Sequence, residues 1–145
     1  MLRRFLLLCV LALGAVAPTM AAPLTVATLD GRQLVFEVKL ADTPEKQRQG
    51  LMHVADMSPR HGMVFPMQPP RQARFWMRNT LIPLDMIFIL PGGMVGQIVT
   101  RRDTQSDTPT VSLQPVSAVL EINAGEAQAL QIGVGDMVRM DGVAF

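Results

Sequence analysis

Apolar positions in this chain recur mostly at every second residue or in short unbroken runs, and helical spacing is scarce. Leu34, Phe36, Val38 and Leu40 alternate with Gln33, Val35, Glu37 and Lys39, the period of a strand with one buried face. A second β-rich run, Leu24 to Leu29, precedes it, and Asp30-Gly31 between the two is a strong hairpin signal. Asp42-Thr43-Pro44-Glu45 opens a short polar helix that ends at Gln49 and Gly50. Proline suits a first helical turn and glycine a C-terminal cap. Gly62 to Phe65 and Arg74 to Met77 read as two strands around a proline-rich loop, Pro66 to Arg71. Asp85 to Leu90 is apolar on both faces, which predicts a central strand, and Pro91-Gly92-Gly93 turns it into Met94 to Thr100. The polar stretch Arg101 to Pro115 predicts a long exposed loop. Val116 to Ile122 is another strand, and Asn123-Ala124-Gly125-Glu126 has the spacing of a capping box. The helix it starts runs to about Gln131, Gly133 stops it, and Met137 to Met140 is the last strand. The expected fold is mainly β: an antiparallel sandwich or distorted barrel with two short helices.

The first residues break this pattern. Met1-Leu2-Arg3-Arg4 is a basic start, Phe5 to Val16 is apolar, and small residues follow at Ala15, Ala17, Ala21 and Ala22. That is a secretory signal peptide, expected over 1–22, with the cut after Ala21 or Ala22; the apolar run is short for a membrane span. A single domain of 23–145 follows, expected in the periplasm or secreted. Losing Arg3 and Arg4 turns 13 basic residues into 11 against 12 acidic ones, a formal charge of −1. No basic stripe remains to neutralise phosphates, so nucleic acid is not an expected partner. The only cysteine, Cys9, lies in the apolar run. The mature domain therefore has no disulfide and no thiol nucleophile or thiolate ligand.

Four segments stand in order along this domain. They are Gly50-Leu51-Met52, Gly62-Met63-Val64-Phe65, the stretch Arg74 to Leu90 with its run Trp76-Met77-Arg78-Asn79-Thr80-Leu81-Ile82-Pro83-Leu84-Asp85, and Val119-Leu120-Glu121-Ile122-Asn123-Ala124-Gly125 leading to Gly133-Val134-Gly135-Asp136. Together they closely resemble the family called domain of unknown function 192, also uncharacterised protein family 0127, from roughly Phe36 to Met140. The resemblance implies a compact β-rich fold, often exported in bacteria, with no established activity or cofactor. Family members often carry an arginine shortly after Gly-Leu-Met, where this chain has His53-Val54-Ala55; no role of that arginine is carried over.

The candidate ligand-binding residues are Trp76, Asn79, Thr80, Asp85 and Glu121. An aromatic surface with a few directed hydrogen bonds suits a small polar ligand such as a sugar or a peptide. The bland alternative is that Asn79 and Thr80 close a turn, Asp85 caps backbone N–H groups at a strand mouth, and Trp76 is core. Glu121, between Leu120 and Ile122, either faces solvent or is buried with a partner. Were Asp85 and Glu121 to converge, they could serve as the two carboxylates of a glycan hydrolase. Met52, Met57, Met63, Met67, Met77 and Met86 could ligate Cu(I) but are more naturally adaptable core filler. His53 and His61 have no third ligand nearby, so no zinc site is expected. The leading expectation is a binding module, not an enzyme, without metal or cofactor. It acts as a monomer on a small-molecule or glycan ligand, and its mature domain has no membrane partner. The alternatives are a cell-wall or glycan hydrolase using Asp85 and Glu121, and methionine-based Cu(I) binding.

Overall fold

The computed structural model describes residues 20–145. Cys9 and nearly all of the expected signal segment lie outside the described residues. β1 (Ala22–Ala27) and β2 (Gln33–Leu40) form the expected hairpin. Gly31 sits in its turn at φ 91°, a backbone conformation open to glycine. α1 (Pro44–Gln49) begins as its sequence predicts, with the Thr43 hydroxyl accepting from Lys46 N at 3.2 Å. β3 (His61–Phe75), β4 (Leu84–Ile89), β5 (Val95–Arg101), β6 (Thr110–Asn123), α2 (Glu126–Ala129) and β7 (Met137–Met140) follow.

The seven strands make one sheet in the order β5-β4-β6-β3-β2-β1-β7. All neighbours are antiparallel except β2 and β3, which run parallel. The two edges meet at one point, where Met94 bridges Met137 and Val95 N donates to Asp136 O at 2.8 Å. The sheet is thus curled into a half-barrel, the distorted-barrel form of the expected fold.

Alternation gives the sheet two cores. Leu24, Phe36, Val64, Ile87, Leu120 and Val138, from six strands, fill the inside of the curl with Ala127 of α2. Met63, Phe65, Met86, Phe88 and Val119 point the other way from β3, β4 and β6. Ala41, Leu51, Met77 and Ile82 cover that outer face. β4 lies between the two cores and is buried at every position, so its unbroken apolar run is the pattern of a strand with no solvent face. Each large aliphatic or aromatic side chain fully buried this way contributes roughly 1.5–3 kcal/mol.

Three local expectations are corrected. Pro66 to Arg71 is not a loop between strands: β3 continues through it, and its register with β6 shifts between Pro66 and Arg71. Prolines at 66, 69 and 70 have no N–H for a ladder, so pairing lapses while the extended path continues. The long polar loop also shrinks, because β6 already starts at Thr110. Arg101 is buried and bonds Asp103 at 2.8 and 2.7 Å, Thr108 O at 3.1 Å and the Thr110 hydroxyl at 2.6 Å. Finally, the capping box does not form. α2 has Gly125 at its N-cap and no cap from its own side chains. Asn123 Nδ2 donates to Met57 O at 2.8 Å, and Glu126 Oε1 accepts from Arg60 N at 2.7 Å. Both side chains pin the segment before β3, which competes successfully for their hydrogen bonds.

Candidate functional site

Side chains paired directly across neighbouring antiparallel strands project from the same face. Glu121 on β6 pairs with Met63 on β3 and Met86 on β4, while Asp85 pairs with Ile122. Asp85 therefore shares the inner face with Ile122, and Glu121 shares the outer face with Met63 and Met86. The sheet stands between the two carboxylates, which removes the geometry that a paired-carboxylate hydrolase needs.

Asp85 is 1% exposed and doubly bonded. Its Oδ1 accepts from the Thr100 hydroxyl at 2.6 Å and its Oδ2 from Ala127 N at 2.9 Å. It satisfies an orphan N–H in the first turn of α2, a cap delivered from a strand 42 residues away. The bland alternative for Asp85 is the observed one. Asn79 takes the matching role in its turn, at φ 52°, a left-handed conformation that asparagine tolerates better than most residues. Its carbonyl accepts from His53 N at 2.9 Å. Neither Asp85 nor Asn79 lines the main groove.

That groove lies over the outer face, with a volume of about 460 Å³. The turn after α1, Gly50 to Met52, forms one side, and the continuing part of β3 from Arg71 to Phe75, with Trp76 just beyond it, forms the other. Trp76 is 46% exposed, and the Arg78 guanidinium lies 4.1 Å from its ring centroid. Arg78 Nε in turn donates to Asp107 Oδ1 at 2.7 Å, fixing the stack. Thr80 is buried beside them, its N bonded to Met77 O at 3.0 Å. Glu121 also lines this groove. It is 4% exposed, and its carboxyl makes no hydrogen bond among the described residues. Burial pushes its pKa up to about 8 from an ordinary 4.5.

The structure thus brings Trp76, Thr80 and Glu121 together and leaves Asn79 and Asp85 outside. It adds arginines that sequence reading missed. Arg48, Arg71, Arg74 and Arg78 line the groove. Arg48 pairs with Glu45 and Arg78 with Asp107, whereas Arg71 and Arg74 form no ion pair among the described residues. Arg71 was hidden by reading Pro66 to Arg71 as a loop, and the register shift between Gln72 and Arg74, which falls between the two arginines, leaves no sequence signal. Four of the clustered methionines, Met63, Met67, Met77 and Met86, are buried in the outer core, and Met52 lines the groove. Packing accounts for the four. Among the described residues no three His, Cys, Asp or Glu side chains cluster as a metal site, and no helix is long and apolar enough to cross a membrane.

Comparison with known proteins places this geometry in a wider set. The DUF192 family model, described as Uncharacterized ACR, matches residues 25–140. No curated protein matches the chain. Among solved structures, one from Sinorhizobium meliloti 1021, named as a candidate transcription regulator, is 36% identical. It superposes with a TM-score of 0.82 over 86% of this chain and 98% of that one. A protein of unknown function from Novosphingobium aromaticivorans DSM 12444 is 40% identical, with a TM-score of 0.80 over 86% of this chain and 89% of that one.

Proposed function

The chain belongs to the DUF192 family, and from that premise we propose that it is a non-catalytic binding module whose outer groove takes a small or extended polar ligand carrying an anionic group. The carrying observation is the groove itself: about 460 Å³, within the size range of small-molecule sites, with the half-exposed Trp76 and the unpaired Arg71 and Arg74 on one wall. An aromatic plane gives contact area, and guanidinium forks match carboxylate or phosphate oxygens. Asp85 contributes by anchoring α2, not by meeting ligand.

Trp76 is the only tryptophan, so its fluorescence reports on this groove alone. Titration with acidic cell-wall fragments, glycans and peptides should shift its emission saturably. Replacing both arginines, Arg71→Ala with Arg74→Ala, should weaken binding by about tenfold or more. Silence across such a library overturns the reading.

The regulator name belongs to the Sinorhizobium relative, and the charge of this chain does not favour DNA. The mature chain is formally −1 (11 basic, 12 acidic), and Arg71 and Arg74 line a hollow instead of a raised stripe. We also propose export to the periplasm or beyond, on the support of the basic and apolar start of the sequence. N-terminal sequencing of the protein from fractionated cells should find Ala22 or Pro23 first; a retained Met1 overturns export by cleavage.

A further inference from the structure

Glu121 is the acidic group of the groove lining, and the anionic-ligand reading leaves its chemistry unused. A carboxyl held 4% exposed loses most of its hydration, and such a group is normally hydrogen-bonded or paired. This one has no hydrogen-bond partner among the described residues and lines an open cavity. Met63 and Met86 flank it across β3 and β4 and carry no charge. The charged groups lining the groove are Arg48, Arg71, Arg74 and Arg78; Lys39 and Lys46 line only the adjoining hollow beside α1. An acid on the floor and bases on the wall make a dipolar receptacle.

We infer that Glu121 receives the ammonium group of a zwitterionic ligand, of amino-acid to short-peptide size, whose carboxylate meets Arg71 and Arg74. The inference rests on the proposed binding role of the groove and names its ligand class. The polar groups select the zwitterion: a purely anionic ligand leaves the buried carboxyl without a hydrogen-bond partner, and a purely cationic one meets the arginines. With no cluster of three metal-ligating carboxylate, imidazole or thiol groups among the described residues, a cation here must bring its own hydrogen-bonding groups. An ammonium brings three N–H donors.

Burial keeps the free Glu121 carboxyl protonated at pH 7, since its pKa stands at about 8. Forming the pair releases that proton to solvent: carboxylic acid and ammonium become carboxylate and ammonium, plus a free proton. Binding at pH 7 should therefore release about one proton, and affinity should rise from pH 6 toward pH 8.

The test is calorimetric titration of the protein with the free amino acids and a dipeptide panel, each beside its N-acetylated counterpart. The expected result is that a free-amine member binds and that N-acetylation weakens it about 30-fold or more. Glu121→Gln should lower affinity for the free amine by a similar factor and abolish the difference between the two forms. Heats measured in two buffers of different ionisation enthalpy should show the released proton. Equal affinity for acetylated and free forms, or undiminished binding by the Gln variant, overturns the inference while leaving the groove a binding site. If no member binds, the inference also fails, and the Trp76 response to acidic glycans decides the groove separately. Should Glu121→Gln not fold, the acetylation comparison on the unaltered protein still decides.

Discussion

At the scale of single residues, Glu121 and Asp85 show how neighbouring strands give two carboxylates opposite fates. Asp85 is buried, and both its carboxyl oxygens are hydrogen-bonded, one by a hydroxyl and one by a helix N–H. Glu121 is equally buried but unbonded, so its charged form is penalised and its pKa is pushed up to about 8. That difference has a consequence for stability. Below pH 4.5 the carboxyl is protonated in both folded and unfolded chains, and burial costs nothing through ionisation. Between 4.5 and about 8 the unfolded chain loses its proton while the folded chain keeps it, so stability falls as pH rises. The loss is complete above pH 8 and amounts to at most about 5 kcal/mol. Urea unfolding of the wild type and of Glu121→Gln across pH 4–9 checks this. The variant should lack that part of the slope; identical slopes in both proteins would show that Glu121 ionises freely when folded.

At the scale of elements, legibility in the sequence followed hydrogen-bond competition. β2 and β4 were readable because burial dictates their patterns directly: strict alternation for one, an unbroken apolar run for the other. β3 was not, because its prolines signal a break in pairing and say nothing of the path the chain then takes. The same gap hid Arg71 from the candidate site, and the register shift between Gln72 and Arg74 had no sequence signal, although Trp76, Thr80 and Glu121 could be singled out. α2 failed for a related reason. Asn123 and Glu126 have the spacing to cap locally, but Met57 O and Arg60 N claim them across 66 residues, and the cap comes from Asp85. Local spacing cannot reveal a distant competitor. A four-residue helix has little stability of its own, so α2 should depend on that carboxylate. Asp85→Ala leaves Ala127 N–H and the Thr100 hydroxyl without their partner and should cost about 2–4 kcal/mol, read as a lower urea midpoint. Ligand-induced change in Trp76 emission should persist in the folded variant, because Asp85 lies on the far face of the sheet. Loss of binding in a variant that remains folded would return Asp85 to the site.

At the scale of the whole molecule, the half-barrel sets where rigidity is needed and where an opening is tolerated. The groove sits over the centre of the sheet, on β6 and β3, each paired on both sides for at least part of its length. The weak place is the seam between the edge strands β5 and β7. It is held by Val95 N to Asp136 O at 2.8 Å, Gly135 N to Val95 O at 2.9 Å and Val138 N to Gly93 O at 2.7 Å. Gly93 is the critical position. Its φ of 94° suits glycine, and a Cβ there would stand 2.6 Å from Val138 O, well inside contact distance. Gly93→Ala must therefore push β7 away or distort the turn, costing about 1–3 kcal/mol. Hydrogen exchange distinguishes a local opening from general weakening. In the variant the Val95 and Val138 amides should exchange through a local opening, faster than the molecule unfolds, while Ile87 and Leu120 should still exchange only on global unfolding. If all four accelerate together, the seam and the central strands form one cooperative unit. In that case closure of the curl supports the groove floor, and ligand affinity should fall with it. If only the seam amides accelerate, the Trp76 response should be unchanged, and the binding face is carried by β4, β6 and β3 alone.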